Sequence, residues 1–539
     1  MPCSTGQNRA FCGMSFFRSV ATVGLFTLLS RAVGFLRDML TAALIGAGPV
    51  ADAFVIAQRL PNMFRMFFAE GATDTALVPI YSRKVRHEGK AVAGQFASQI
   101  LTLLILILLP LVVCGIIFMP HVINLMAPGF VAADERYALA VRYSVVTFGY
   151  LLLVSVAAIQ GSMLNANGHV GSYAFSPIIL NVVLCVGLVL AYAVHQDIGL
   201  FGCWSLIIGG GIQIAGLWRD CRRLRVPLGL AMPRWSADVR HFFKLVGPGV
   251  IATGAGQINN IVSTLLASTL SSGAVAALYY ADRVTQVPLG IVGGAIATAL
   301  LPALSHHIAA NEHDMTKKHF SRAVELALFL TLPLCALFVL QGDVIIKLLF
   351  ERGAFHETDT VATASALGAY ALAIPASILI RVFSIRFFAH HDTRTPVWTA
   401  LASIAVNALL AIQLKSLWQQ AGIAAAASAA LWVNAFLLVG VLAVKRQLNF
   451  DRHALHRLPR IVFASGIMAF TIFVLSHINT YAMGPYWPQG YARKIAAFLL
   501  TAACSASVYL AIIFMTGVMR WSDLRRYLRN PSPQDPETF

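Results

Sequence analysis

The chain has 539 residues, 58% hydrophobic and 12% charged, with a mean hydropathy of +0.73. That make-up excludes a soluble globular protein and identifies an integral membrane protein, and apolar runs of about 20 residues between short polar joints indicate helices rather than a barrel. The formal charge of +17 does not imply nucleic acid, because the basic residues collect in alternate joints, as the positive-inside pattern requires.

The expected fold class is all-α and polytopic. About 14 spans are predicted by length, at roughly 16–45, 51–80, 95–120, 137–163, 172–194, 198–218, 245–270, 274–305, 319–341, 360–388, 396–414, 421–444, 460–478 and 494–517. Residues 1–15 read as an N-terminal extension and the apolar stretch after them as a retained first span, since no small-residue cleavage site follows it. Arg83, Lys84, Arg86 and Lys90 follow span 2; Arg219, Arg222, Arg223, Arg225, Arg234 and Arg240 follow span 6; Lys445, Arg446, Arg452, Arg457 and Arg460 follow span 12. Joints on the other side, around 46–50, 195–198 and 271–273, lack Lys and Arg. Both termini are therefore expected in the cytoplasm.

Spans 1 and 2 carry charges where lipid is expected: Arg31, Arg37, Asp38, Asp52, Arg59, Arg65 and Glu70. A charged side chain at mid-bilayer costs about 2.5–3.5 kcal/mol on the lenient scale, so four unpaired lipid-facing arginines would cost about 10–14 kcal/mol. That rivals the whole stability of a domain. These arginines must face an interior or a water-filled cavity, and an inward-facing arginine cluster suits an anion. Arg31 and Asp38 are seven apart on one helix face, as are Asp52 and Arg59. Internal salt bridging is the alternative, but with Arg283 the arginines outnumber the nearby acids. Pro61 interrupts span 2 and Gly34 lies between the arginines of span 1, making both hinge candidates.

Residues 48–59 resemble 273–283, and Leu77 to Ser82 matches Leu300 to Ser305. The separation is about 225 residues, and a repeat half a chain apart is a transporter signature. Six intervening spans give both copies one orientation, so the expected organisation is a lobe at 16–220, a second lobe at 221–446, a helix pair at 447–519 and a cytoplasmic tail at 520–539. In span 8, Asp282 and Arg283 are adjacent and should engage different partners. Gly290, Gly293 and Gly294, like Gly209 to Gly211, suggest close helix contact. Arg381 and Arg386 are expected to snorkel to the cytoplasmic face. The eight cysteines lack ligand spacing, and His306-His307 and His390-His391 have no third ligand, so no metal or cofactor is expected. With no P-loop, HExxH or nucleophile elbow, an enzyme is not expected either.

The stretch Ser30-Arg31-Ala-Val-Gly34-Phe-Leu-Arg37-Asp38, followed by Ala51-Asp52, Arg59-Leu-Pro61-Asn62, Glu70-Gly71 and Val78-Pro79, resembles the MurJ/MviN family. The similarity continues through Ala127-Pro128-Gly129-Phe130, Tyr279-Tyr280-Ala-Asp282-Arg283, Leu301-Pro302 and Asp392-x-x-Thr395-Pro396. The resemblance implies a bacterial inner-membrane lipid II flippase of the MOP exporter superfamily, with two six-helix lobes and an added helix pair whose groove takes the polyprenyl tail. It assigns Arg31, Arg37, Arg65 and Arg283 to a cationic cavity with Asp52 and Glu70 as supporting acids, and Arg59 stands where some members have lysine. Where some relatives have an acidic residue for sodium, span 7 offers Gln257, Asn259, Asn260 and Ser263, which does not support sodium coupling.

The function expected is alternating access, with arginines holding the pyrophosphate of lipid II by their planar fork. The partners are lipid II and membrane lipids, and a monomer is the default because two lobes already enclose one cavity. A MOP-type drug or cation antiporter would show buried acids instead of arginines. A flippase for another polyprenyl-linked saccharide shares the cavity chemistry, and a non-transporting scaffold would tolerate joint neutralisation of arginines and acids.

Overall fold

The computed structural model describes residues 6–68, 72–131, 133–226, 228–309, 312–390, 392–446, 448, 450–482 and 491–519. Glu70, His391 and the tail from 520 lie outside them. Among the described residues every regular element is a helix. The chain divides into two compact units, one comprising residues up to Ala276 with Arg352–Phe355, the other comprising Ala277–Glu351 and residues from His356 onward.

The first unit contains α1 (Gly6–Ile45), α2 (Pro49–Phe68), α3 (Ala72–His87), α4 (Lys90–Ile117), α5 (Met119–Met126), α6 (Glu135–Phe148), α7 (Tyr150–Ala166), α8 (Val170–Ala193), α9 (Ile198–Arg223) and α10 (Ala237–Ser268). α2 is its core. Ala51, Ala53, Phe54, Ile56, Ala57 and Leu60 are all buried, the small residues letting α6 approach until Thr147 Oγ1 donates to the Ala57 carbonyl at 2.7 Å. α9 packs through glycine: a side chain at Gly209 would meet Leu180, and one at Gly210 would meet Tyr150, whereas Gly211 faces open space. Acidic and hydroxyl caps start the helices, Asp134 for α6, Asp197 for α9 and Ser236 for α10.

The second unit contains most of α11 (Ala274–Ala309), then α12 (His313–Leu340), α13 (Gly342–Phe350), α14 (Glu357–Ala371), α15 (Ala373–Ala389), α16 (Arg394–Val444), α17 (Arg452–Ala482) and α18 (Tyr491–Met515). Phe320, Val382, Phe383, Phe387, Leu438 and Leu442 form one core cluster, and Ile461, Met468, Ile472, Tyr509 and Ile513 form a second that seats α17 and α18 on α12. Tyr509 Oη donates to the Phe329 carbonyl at 2.8 Å. At one end, Asp392 caps α16 through the Thr395 N–H and hydroxyl and accepts from Lys445 Nζ at 2.6 Å, tying both ends of α16 together.

Nine helical stretches among the described residues are long and apolar enough to cross a membrane. The expected spans 1, 2, 7 and 8 coincide with α1, α2 with α3, α10 and α11, which are not among those nine. Spans 11 and 12 are one continuous element, α16, except at Gln419, whose φ of 47° and ψ of −126° turn the chain inside the expected joint. Spans 4 and 10 are each interrupted, at Gly149 between α6 and α7 and at Leu372 between α14 and α15.

One order of elements occurs twice along the chain. A long helix, a short helix, a Gly-containing loop and an interrupted span recur in the order α4–α5–α6–α7 and α12–α13–α14–α15. Both loops bury a phenylalanine, Phe130 and Phe355. Arg386 departs from expectation: it does not snorkel but is buried, its guanidinium 5.0 Å from the centre of the Phe320 ring. Aromatic burial outcompetes solvent exposure at this position.

Candidate functional site

α1 and α2 carry the four arginines singled out by sequence. Arg31 is exposed on α1. One turn and a half further on, Arg37 donates through Nη2 and Nε to the buried Asp38 carboxylate, at 2.6 and 3.1 Å, and through Nη1 to Asn181 Oδ1 of α8 at 2.9 Å. Gly34 gives Asn181 its place, since a side chain there would press on the Asn181 amide. α1 runs unbroken through Gly34, and α2 runs through Pro61.

On α2, Arg59 donates to the hydroxyl of Thr264 on α10, and Arg65 donates to Asn62 Oδ1 at 2.9 Å on an exposed stretch. Three of these arginines thus use uncharged oxygen partners as well as any acid. In the second unit, Arg283 lies over its own helix's Tyr279 ring at 4.8 Å, and Asp282 accepts from Gln286 Nε2 at 2.5 Å. Adjacent in sequence, the two engage different neighbours, as helix geometry dictates.

Asp52 does not pair with Arg59. It is fully buried and accepts two backbone hydrogen bonds at the start of α11, from the N–H groups of Gly273 and Ala276, both at 2.8 Å. A carboxylate at a helix N-terminus meets free N–H donors and the positive end of the helix dipole, which compensates a buried charge. Arg136 stands behind it, Nη1 3.9 Å from Asp52 and donating to the Leu270 carbonyl at 3.2 Å, with Nε on Asp134 at 2.6 Å. The Arg136 N–H and guanidinium outweigh the upward push of burial and hold the Asp134 carboxyl below its usual range.

Backbone closes directly on backbone around this cap. A side chain at Gly273 would collide with the Ala47 carbonyl, one at Gly353 with the Ala43 carbonyl, and one at Gly46 with the Ala354 carbonyl. Gly129 is equally tight against Ser268 and Thr269, and its N–H donates to Ser268 Oγ at 3.1 Å. Gly46, Gly273 and Gly353 all have positive φ, from 62° to 91°, so only glycine satisfies both the conformation and the space. The Ala354 N–H completes the set by donating to the Ala43 carbonyl at 2.8 Å.

The family described as "Lipid II flippase MurJ" matches residues 41–491. The chain belongs to that family. It is 37% identical over 520 residues to a Rhizobium meliloti protein named "Probable lipid II flippase MurJ", covering 96% of this chain and 97% of that one. A Rickettsia prowazekii protein of the same name is 31% identical, covering 95% and 99%. Among solved structures, one titled "Lipid II flippase MurJ, inward closed conformation" matches with a TM-score of 0.75 at 24% identity, over 92% of this chain and 99% of that chain. A multidrug resistance MATE family transporter of the MOP superfamily, in an inward-facing conformation, matches at 0.66 and 13%, over 78% and 96%. These two likenesses establish the fold.

Membership of the MurJ family makes this chain a transporter rather than an enzyme, with the all-α membrane fold expected of it. No group of three or more His, Cys, Asp or Glu residues among those described is placed to hold a metal. Sequence reasoning missed Asn181, Thr264 and Arg136 as neighbours of the charged residues of α1 and α2. Arg136 did leave a signal: an arginine in the first turn of a helix opposes the helix dipole, so some other contact must hold it there. The uncharged partners left none.

Proposed function

We propose that this chain flips lipid II from the cytoplasmic to the periplasmic leaflet by alternating access, the arginines of α1 and α2 with Arg283 binding the pyrophosphate. The observation that carries the reading is the position of Asp52. With this carboxylate on the α11 backbone, the four arginines of α1 and α2 outnumber Asp38, Glu70 and Asp74, the other acids in the sequence of spans 1 and 2. The sequence of these spans thus keeps an excess of positive charge that suits an anionic headgroup, which arginine binds through its planar fork.

Residues 268–276 and 352–355 belong by sequence to the second half, yet they contact α1, α2 and the Gly129 loop. Such contacts keep one end of the transporter shut, and releasing them opens it. The positive-inside pattern places that end in the periplasm and both termini in the cytoplasm. In this reading 16–220 and 221–446 are the moving lobes, the pair at 447–519 holds the polyprenyl tail, and the protein acts as a monomer.

The test is complementation of a depleted strain together with an assay of undecaprenyl-linked precursor in each leaflet. Alanine at Arg31, Arg37, Arg65 or Arg283 abolishes support with insertion intact, and lysine rescues only in part. Normal flipping by the alanine variants, or rescue on neutralising Asp38 or Asp282 together with an arginine, overturns the cationic cavity. An antiporter predicts unchanged precursor distribution in all of them.

A further inference from the structure

Between α9 and α10 the chain forms neither helix nor strand over residues 228–236, yet it is held in place along α4. The Gly229 N–H donates to Ser98 Oγ at 3.0 Å and the Ala231 N–H to Thr102 Oγ at 3.1 Å. Two residues of extended chain advance about 6.8 Å and four residues of helix about 6 Å, so the segment and α4 are in register. Leu230 and Met232 are 77% and 84% exposed. Trp235 follows, also exposed, stacked on Phe243 at 5.5 Å. Beyond it, Asp238 is tied to Lys84 at 2.7 Å.

The level of this segment in the bilayer follows from α4. About 20 residues cross the hydrocarbon, and counting back from Ile117 reaches Ser98. Leu230 and Met232 therefore lie at the edge of the hydrocarbon, with Trp235 at the depth where indole rings anchor proteins. Six exposed arginines flank them: Arg219, Arg222, Arg223, Arg225, Arg234 and Arg240. The only acids in the same stretch are Asp220 and Asp238, and the second is engaged by Lys84.

We infer that this connector is a binding surface for anionic phospholipid, with Leu230, Met232 and Trp235 inserted among the acyl chains and the arginines on the headgroup phosphates. Charge selects the occupant: an apolar tip flanked along the chain by exposed arginines repels a basic partner and gains from a negative leaflet. The inference rests on the reading of the basic joints as lying at headgroup level; it does not depend on lipid II being the cargo.

The full chain is reconstituted in phosphatidylcholine vesicles containing phosphatidylglycerol, with brominated acyl chains on one lipid or the other. Trp235 fluorescence is isolated by difference against Trp235→Phe. Several-fold stronger quenching by brominated phosphatidylglycerol is expected, falling as salt is raised and by up to about fivefold for each of Arg223→Gln, Arg225→Gln and Arg234→Gln. Equal quenching by both lipids, no quenching, or a preference that salt does not move overturns the inference. Should Trp235→Phe not fold, a fluorophore on Leu230→Cys reports the same quenching. Retention of phosphatidylglycerol by the unaltered protein in native mass spectrometry needs no variant, and its absence counts equally against the proposal. Precursor flipping is read separately, so loss of lipid preference with flipping intact condemns this inference alone.

Discussion

Replacing Asp52 with asparagine keeps the shape of the α11 cap and removes its charge. The carboxylate accepts two backbone hydrogen bonds at 2.8 Å in a fully buried site. Hydrogen bonds to charged groups contribute about 1.5–3 kcal/mol each, against about 1 kcal/mol for neutral ones. Asparagine offers one acceptor oxygen and turns an NH2 group toward the other donor, so the end proposed to be closed loses about 2–5 kcal/mol. At 1.4 kcal/mol per tenfold, the open form gains roughly 30-fold to 4,000-fold in population. A cysteine at the buried Ala51, in a background with the native cysteines replaced by serine, reads this as its labelling rate with an impermeant thiol reagent from the periplasm. Cysteines at Ser272 and Arg223 serve as controls, the first labelled from that side and the second protected. A labelling rate at position 51 that stays within about twofold of the Asp52 protein, outside the range the estimate allows, would refute the latch, and reversed controls would refute its placement.

Gly353→Ala brings a side chain onto the Ala43 carbonyl and forbids the observed φ of 62°, so it should raise position-51 labelling as Asp52→Asn does, or lower the yield of folded protein; wild-type behaviour in both would show that the close approach is dispensable. Lys445 and the Thr395 groups hold the Asp392 carboxyl well below the usual range, so its contribution to stability is present above the ordinary carboxylate pKa of about 3.9 and is lost as pH falls through the depressed folded value. Asp392→Asn should therefore lower the Tm near neutrality, with the two melting curves converging toward acid; a constant gap contradicts the linkage. Truncation before Arg460 removes most of α17 and all of α18 and should cripple flipping while the first twelve spans still insert, and full activity would end the tail-groove reading.

Elements governed by hydropathy were legible in the sequence: span 172–194 is α8, and the joint between spans 11 and 12 contains the turn at Gln419. α5 and α13 were not, because helices of eight and nine residues fall far below the length criterion for a span. The breaks at Gly149 and Leu372 sit inside continuous apolar runs, where periodicity carries no boundary signal. For the site, charge in an apolar run singled out α1 and α2. The role of Asp52 was hidden because its partners are backbone N–H groups more than two hundred residues away, and a backbone donor has no residue type to betray it. Thr264 and Asn181 were hidden for a related reason, since neutral polar residues in apolar helices are common and carry little information.

The cap at Asp52 also makes hydration a control variable. Shut, the carboxylate has exchanged water for amide donors; open, it must recover a hydration shell, and the glycine contacts around it must admit water between surfaces that now touch. In the proposed alternating-access cycle, opening is thus a water-uptake step. Solutes excluded from so narrow a crevice will oppose it in proportion to the water taken up, so the rate at which this transporter exposes its interior to the periplasm should respond to osmotic pressure even with membrane potential and ion gradients held constant.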